Sequence, residues 1–327
     1  RAGRGEVAEA EVQGQQAVSA GRRLPAVEVA AGSEPDCWAA MAGDLVAAGT
    51  RQSAAAIATG TPVRLASLCR PGGQDLVRAE CLVPALRVML KLPDGTQRLT
   101  AGDGLRCETV RPFAGSGAAG FSVTVVEEVT PQVRLRAEIT CRVADGSPDA
   151  RFSLRVQVTG AGLLWVRFPD VACAPIGGRE ALHQQVAVSP RALPGNFIRH
   201  PFGSHALPER SPFGSQWEPA TMMYPQMSMP VQMTCLFRLT EGRTPGDVLY
   251  AACEDSAGGC KAFQYVASRD AAHGPGLQAG FVHVPEGPGT ATRYTTPYST
   301  VLAPLTGDWF DAVEHYRQWV TRQPWCA

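Results

Sequence analysis

Between Val133 and Val143 the apolar residues Val133, Leu135, Ala137, Ile139, Cys141 and Val143 take every second position, while Gln132, Arg134, Arg136, Glu138, Thr140 and Arg142 take the rest. After the turn Asp145-Gly146-Ser147-Pro148 the alternation resumes, with Phe152, Leu154, Val156 and Val158 set against Arg151, Ser153, Arg155 and Gln157. A period of two cannot bury one side of a helix, so these segments predict two long strands, each with a buried face that a second sheet must cover. Val231, Met233, Cys235, Phe237 and Leu239 repeat the pattern against Gln232, Thr234 and Arg238, predicting a strand with one wet side. Residues 248–253 and 261–266 predict two more strands around a hairpin turn at Glu254-Asp255-Ser256-Ala257-Gly258-Gly259.

Further β-rich stretches are 63–68, 75–92, 97–110, 121–129, 163–171 and 184–188, with Phe168-Pro169 expected to stop the ladder of the fifth. Residues 37–59 also lean to strand, although Trp38, Met41, Leu45 and Val46 would suit a helical face. Residues 1–35 show no sustained period and are expected to form a flexible lead-in. At the other end the period changes. Asp308 can cap a helix with Asp311 at the third position, and Trp309, Ala312, Val313, Tyr316 and Val320 then recur at helical spacing before Pro324. So apolar a helix should have something to pack against. The fold class expected is all-β: a two-layer antiparallel β-supersandwich over residues 36–305, with a short C-terminal α-helix within 306–327.

The 327 residues include 30 basic and 30 acidic side chains, and this neutral balance gives no electrostatic case for nucleic acid or an anionic membrane as partner. No apolar run approaches the ~18 residues of a membrane span. Arg at position 1 suggests a piece of a longer polypeptide. The cysteines at 37, 69, 81, 107, 141, 173, 235, 253, 260 and 326 contain no C-x-x-C pair and are read as mostly reduced core thiols, with Cys253 and Cys260 able to pair across their turn.

Tests for specific chemistry return little. There is no Gly-x-Ser-x-Gly, phosphate loop or His-Glu-x-x-His. His200 and His205 are five apart in a loop, which is not a metal spacing, so no metal and no cofactor are expected. Met227, Met229 and Met233 suit a buried strand face better than a metal site. Glu209 and Glu218 flank Trp217 but fit solvated loop carboxylates better than an acid/base pair, so no catalytic residue is assigned. The arginines on the outer face of the 133–158 hairpin invite an anion site, yet the interleaved Glu138 and Thr140 favour an ordinary solvated face. The long aromatic loop before residue 231 supplies Trp217 and Tyr224 as candidate carbohydrate contacts, with Tyr298 as a further stacking ring.

The segments 163–169 (LLWVRFP), Tyr224-Pro225, Leu249-Tyr250, Asp255 followed by Lys261 and Phe263, and the closing GDWFDAVEHYRQWVTRQPWC are together similar to the N-terminal portion of a group of glycoside-hydrolase-like proteins. In these a large β-sandwich precedes a (β/α)8 barrel resembling that of the endo-α-N-acetylgalactosaminidases. The stretch RLASLCRPGGQDLV at 64–77 also resembles the opening strands of the galactose-mutarotase-like sandwich. The resemblance implies a non-catalytic sandwich module that is followed by its own catalytic barrel, with carbohydrate as the partner. It carries no catalytic residue over, and Asp255 with Lys261 only as a turn feature. A free-standing carbohydrate-binding domain is the alternative, and a mutarotase-like epimerase a third, for which the expected histidines and glutamate are not matched.

Overall fold

The alternating segments pair as strands in a computed structural model that describes residues 37–100, 102, 104–188, 197–202, 221–224, 231–240, 246–270 and 274–326. Strands β1 (Trp38–Ala42), β2 (Leu45–Gly49), β3 (Ala54–Ala58) and β4 (Arg64–Cys69) form a four-stranded antiparallel meander. β5 (Arg87–Lys91) and β6 (Gln97–Leu99) are a short hairpin. β7 (Arg106–Gly115), β8 (Ala118–Thr130), β9 (Val133–Ala144) and β10 (Ala150–Thr159) run up and down in one large sheet, and β11 (Gly162–Cys173) crosses to the layer of β5. There follow β12 (Gln185–Val188), β13 (Phe197–Arg199), β14 (Thr221–Tyr224), β15 (Met233–Arg238), β16 (Gly246–Glu254), β17 (Lys261–Asp270), β18 (Gly274–His283), β19 (Arg293–Thr295) and β20 (Ser299–Gly307). Helix α1 (Trp309–Val320) ends the regular structure.

Ten strands make the large sheet, in the order β13-β12-β15-β16-β20-β10-β9-β8-β7 with β19 also paired to β10, and six make a second sheet, β14-β17-β18-β11-β5-β6. Both smaller sheets contribute to one core with the large sheet: Val46 and Ile57 from the meander, Phe263 and Phe281 from the six-stranded sheet, Phe121, Ile139, Phe152 and Leu249 from the large one. Phe152 of β10 meets Phe168 of β11 edge to face at 6.2 Å across the layers. The molecule is thus an all-β sandwich with one C-terminal α-helix. Among the described residues no helix is long and apolar enough to cross a membrane.

Four local expectations need correction. Residues 75–92 are not one strand: only β5 is, because the Asp75 carboxylate accepts the backbone N–H groups of Leu68 and Val77 at 3.0 Å each and holds the chain in a turn. Pro169 does not stop β11, which continues to Cys173. The register against β18 shifts between Arg167 and Asp170, and an irregularity of that kind tolerates a residue with no N–H to give. Cys253 and Cys260 are both free, since the first is buried and the second exposed. Most consequentially, the polar side of β15 is not wet: Gln232 and Thr234 are buried, and Leu236 beside them belongs to the sandwich core.

The burial of that side has a physical reason. The opposite side of β15, with Met233, Cys235 and Phe237, joins Val248, Tyr250, Ala252, Val301 and Ala303 from β16 and β20 in a second apolar cluster, and α1 closes it with Ala312, Tyr316 and Trp319. These three strands are therefore buried on both faces, between the six-stranded sheet and the helix. The capping box forms as expected: the Asp308 carboxylate accepts from Phe310 N at 2.7 Å and the Asp311 carboxylate accepts from Asp308 N at 2.9 Å.

Candidate functional site

Lys261 opens the phase of β17 that Phe263 and Tyr265 continue, which drives its side chain into the interior. Its ammonium is fully buried and donates to Asp255 Oδ2 at 2.6 Å, Gln232 Oε1 at 3.0 Å and the Gly259 carbonyl at 2.7 Å, which uses all three of its donors. Asp255 also accepts the backbone N–H groups of Ala257, Gly258 and Gly259, so the hairpin turn is wound around its carboxylate. Burial opposes the charge, but Lys261 and these amides outweigh it and hold the Asp255 carboxyl below the usual range.

One ring away lies His283. Its Nε2 is 2.6 Å from the Phe168 carbonyl, which can only accept, so Nε2 carries the proton and Nδ1 accepts from the Tyr298 hydroxyl at 2.7 Å. Complete burial pushes this imidazole down to about 4, against the opposing Phe168 hydrogen bond and with a small contribution from the Lys261 charge. Tyr298 shares a hydrogen bond with Tyr294, and its ring lies 4.9 Å from the Lys261 ammonium. Lys261, Asp255 and both His283 nitrogens are each engaged by neighbours, so the cluster ties the turn at 254–259 to β11 and β18. A recess of about 560 Å³ opens beside it, lined among others by Pro285, Glu286, Pro288, Arg293, Tyr294 and Tyr298.

A second constellation holds the helix. His315 Nε2 is 2.7 Å from Asp149 Oδ1, Asp149 also pairs with Arg151 at 2.7 Å, and Arg151 pairs with Glu254. The Tyr316 hydroxyl oxygen accepts the Gln232 N–H at 3.0 Å. The helix is thus tied both to β10 and to β15. The apolar part of its outer side is the first turn, where Trp309 is 39% exposed, Phe310 56% and Val313 36%, with Trp325 beyond the helix 47% exposed. Phe197 of β13 extends this surface, edge-on to Trp309 at 5.8 Å. Further along the helix, the exposed Arg317 pairs with Glu314. The helix thus buries one side in the sandwich and exposes aromatic side chains on the other.

The residues singled out in the sequence fare unevenly. Trp217, His205, Glu209, Glu218, Met227 and Met229 lie outside the described residues, as does the proposed lead-in. Tyr224 is on β14, its backbone opposite Lys261. Tyr298 is 9% exposed with its hydroxyl on His283, so it is not an open stacking ring. Met233 is buried beneath α1, and His200 is exposed at the end of β13. Lys261 with Asp255 was legible only through the resemblance. His283 and Gln232 were missed, although a lysine on the apolar phase of a strand signals that buried partners must exist.

Residues 294–327 match a family described as a domain of unknown function (DUF6259). No curated protein matches. Among solved structures, the chain is similar to an α-N-acetylgalactosaminidase from Bifidobacterium bifidum in complex with GalNAc, at 13% identity and a TM-score of 0.51, over 86% of this chain and 38% of that one. It is also similar to a GH36 α-galactosidase from Geobacillus stearothermophilus in complex with stachyose, at 10% identity and a TM-score of 0.50, over 88% of this chain and 43% of that one. The chain spans about two fifths of the length of these relatives, and at such identities what it shares with that part of them is the fold.

Proposed function

We propose that this chain is the non-catalytic N-terminal sandwich module of a glycoside hydrolase, whose chemistry resides in a catalytic barrel that follows it and whose partner is carbohydrate. The observation that carries the reading is the surface of α1. A helix that seals the sandwich with Ala312, Tyr316 and Trp319 still presents Trp309, Phe310 and Val313 outward, as a helix between two domains would. The fold shared with two fifths of two glycosidases supports it. So does the engagement of the buried carboxylates: Asp149, Asp170 and Asp255 each face a cation, whereas glycoside hydrolysis ordinarily needs two carboxyl groups free to flank the scissile bond.

The test compares turnover of a panel of aryl α-glycosides by this chain and by the longer polypeptide encoded with it. The chain by itself should show none, and the extended polypeptide should hydrolyse at least one substrate. Turnover by the 327-residue chain that disappears on Glu209→Gln or Glu218→Gln would overturn the proposal.

A further inference from the structure

The outer face of the large sheet carries a feature that no single strand discloses. Register places Thr109 opposite Thr124, Thr124 opposite Glu138, Glu138 opposite Arg155, and Arg155 opposite Thr295, a polar row across β7, β8, β9, β10 and β19. A second row sets Arg136, Gln157 and Arg293 side by side, and Arg111 stands opposite Ser122. Together they line a groove of about 490 Å³. Five neighbouring strands give it a span of about 19 Å.

The charges in the groove are not balanced within it. Arg136 is held by Glu108 at 2.9 Å, and Arg155 stands only loosely by Glu138 at 3.7 Å, whose carboxylate also accepts from Ser122 at 3.1 Å. Arg111 and Arg293 are exposed and have no ion pair or hydrogen bond among the described residues. Apart from Ala137 and Val156 the lining is polar, which argues against an apolar ligand or a protein interface. The hydroxyl and amide groups of Thr109, Ser122, Thr124, Gln157 and Thr295 suit the alternating donors and acceptors of sugar hydroxyls. Guanidinium groups spaced among them suit carboxylates, which they grip with two parallel hydrogen bonds.

We propose that this groove binds an acidic oligosaccharide, one whose sugar units carry carboxylates, with Arg111 and Arg293 as the residues that recognise the charge. This rests on the module reading and specifies the class of glycan. Two unpaired guanidiniums across five strands fit the single carboxylate per sugar of a uronic acid chain better than a polymer with several sulfates per repeat, and the neutral balance of the whole chain gives no long-range field for the latter.

The experiment titrates the 327-residue chain with a short oligogalacturonate and with its methyl-esterified form, which keeps the sugar backbone and removes the charge. The acid form should bind, more weakly as salt rises, and the ester should bind at least about tenfold more weakly. The double substitution Arg111→Ala with Arg293→Ala should lose at least about tenfold in affinity with an unchanged melting curve, since both side chains are exposed. Equal binding of acid and ester, wild-type affinity in the double variant, or preference for a sulfated oligomer of the same length would each overturn the proposal. These outcomes are separable from the module reading, which stands or falls on turnover by the extended polypeptide and not on uronate binding.

Discussion

β9 and β15 look alike in sequence, each with apolar residues on one phase and polar residues on the other, yet β9 keeps its polar phase in water and β15 buries both phases. On β9 the polar phase with Arg134, Arg136 and Glu138 faces solvent, and Arg136 and the neighbouring Arg155 of β10 keep most of their side-chain surface open. On β15 the polar phase with Thr234, continued from Gln232, is interior: Gln232 binds Lys261 and the Asp255 carbonyl, and Thr234 binds the Val188 carbonyl and the Tyr265 hydroxyl. Alternation shows that two faces differ but not which one meets water. The deciding fact is what lies above each face, and for β15 that is a helix some seventy residues later in the chain.

The comparison predicts opposite responses to the loss of one charge. Lys261→Met should cost on the order of 3–5 kcal/mol, because Asp255 would remain buried without its cation, whereas Arg155→Met on the open face should change stability by less than about 1 kcal/mol. Urea midpoints for the two variants check this, and similar costs would erase the distinction between the two regions.

Acid should also separate them. His283 titrates at about 4 when folded, below its ordinary value of 6.5, so burial as the neutral form contributes stability that is whole above pH 6.5. As pH falls the unfolded chain takes up the proton first, and stability drains until the folded imidazole is protonated near pH 4. The loss over that window should be about 3 kcal/mol. His283→Gln should be less stable at neutral pH but should flatten the profile between those limits. A wild-type melting temperature independent of pH over this range would show that the histidine is not locked neutral.

A smaller effect tests the helix side of β15. Tyr316→Phe removes the acceptor for the Gln232 N–H and leaves that buried donor unmatched, at about 1–2 kcal/mol. A variant as stable as the parent would mean that apolar contact alone seats α1.

Much of the fold was legible because its strongest signals are local. The 133–158 hairpin, the capping box at Asp308 and the turn at 254–259 each depend on residues within a few positions of one another. What was not legible depends on partners far apart in sequence. His283 owes its locked state to Phe168 and Tyr298, and Gln232 owes its burial to Lys261 and Tyr316. The polar groove was legible in part. The arginines of β9 and β10 show in the sequence, but Arg111 and Arg293 join them only when β7 and β19 are set into the sheet.

The central claim is that the outer side of α1 is an interface within a longer enzyme. The most direct measurement places charge there, with Phe310→Asp and Val313→Asp together, in this chain and in the extended polypeptide. Both side chains are exposed, so the 327-residue chain should melt as before. The extended polypeptide should lose stability and several-fold in glycoside turnover, as a buried unpaired charge demands. An extended polypeptide that melts and turns over as the parent does would contradict the account.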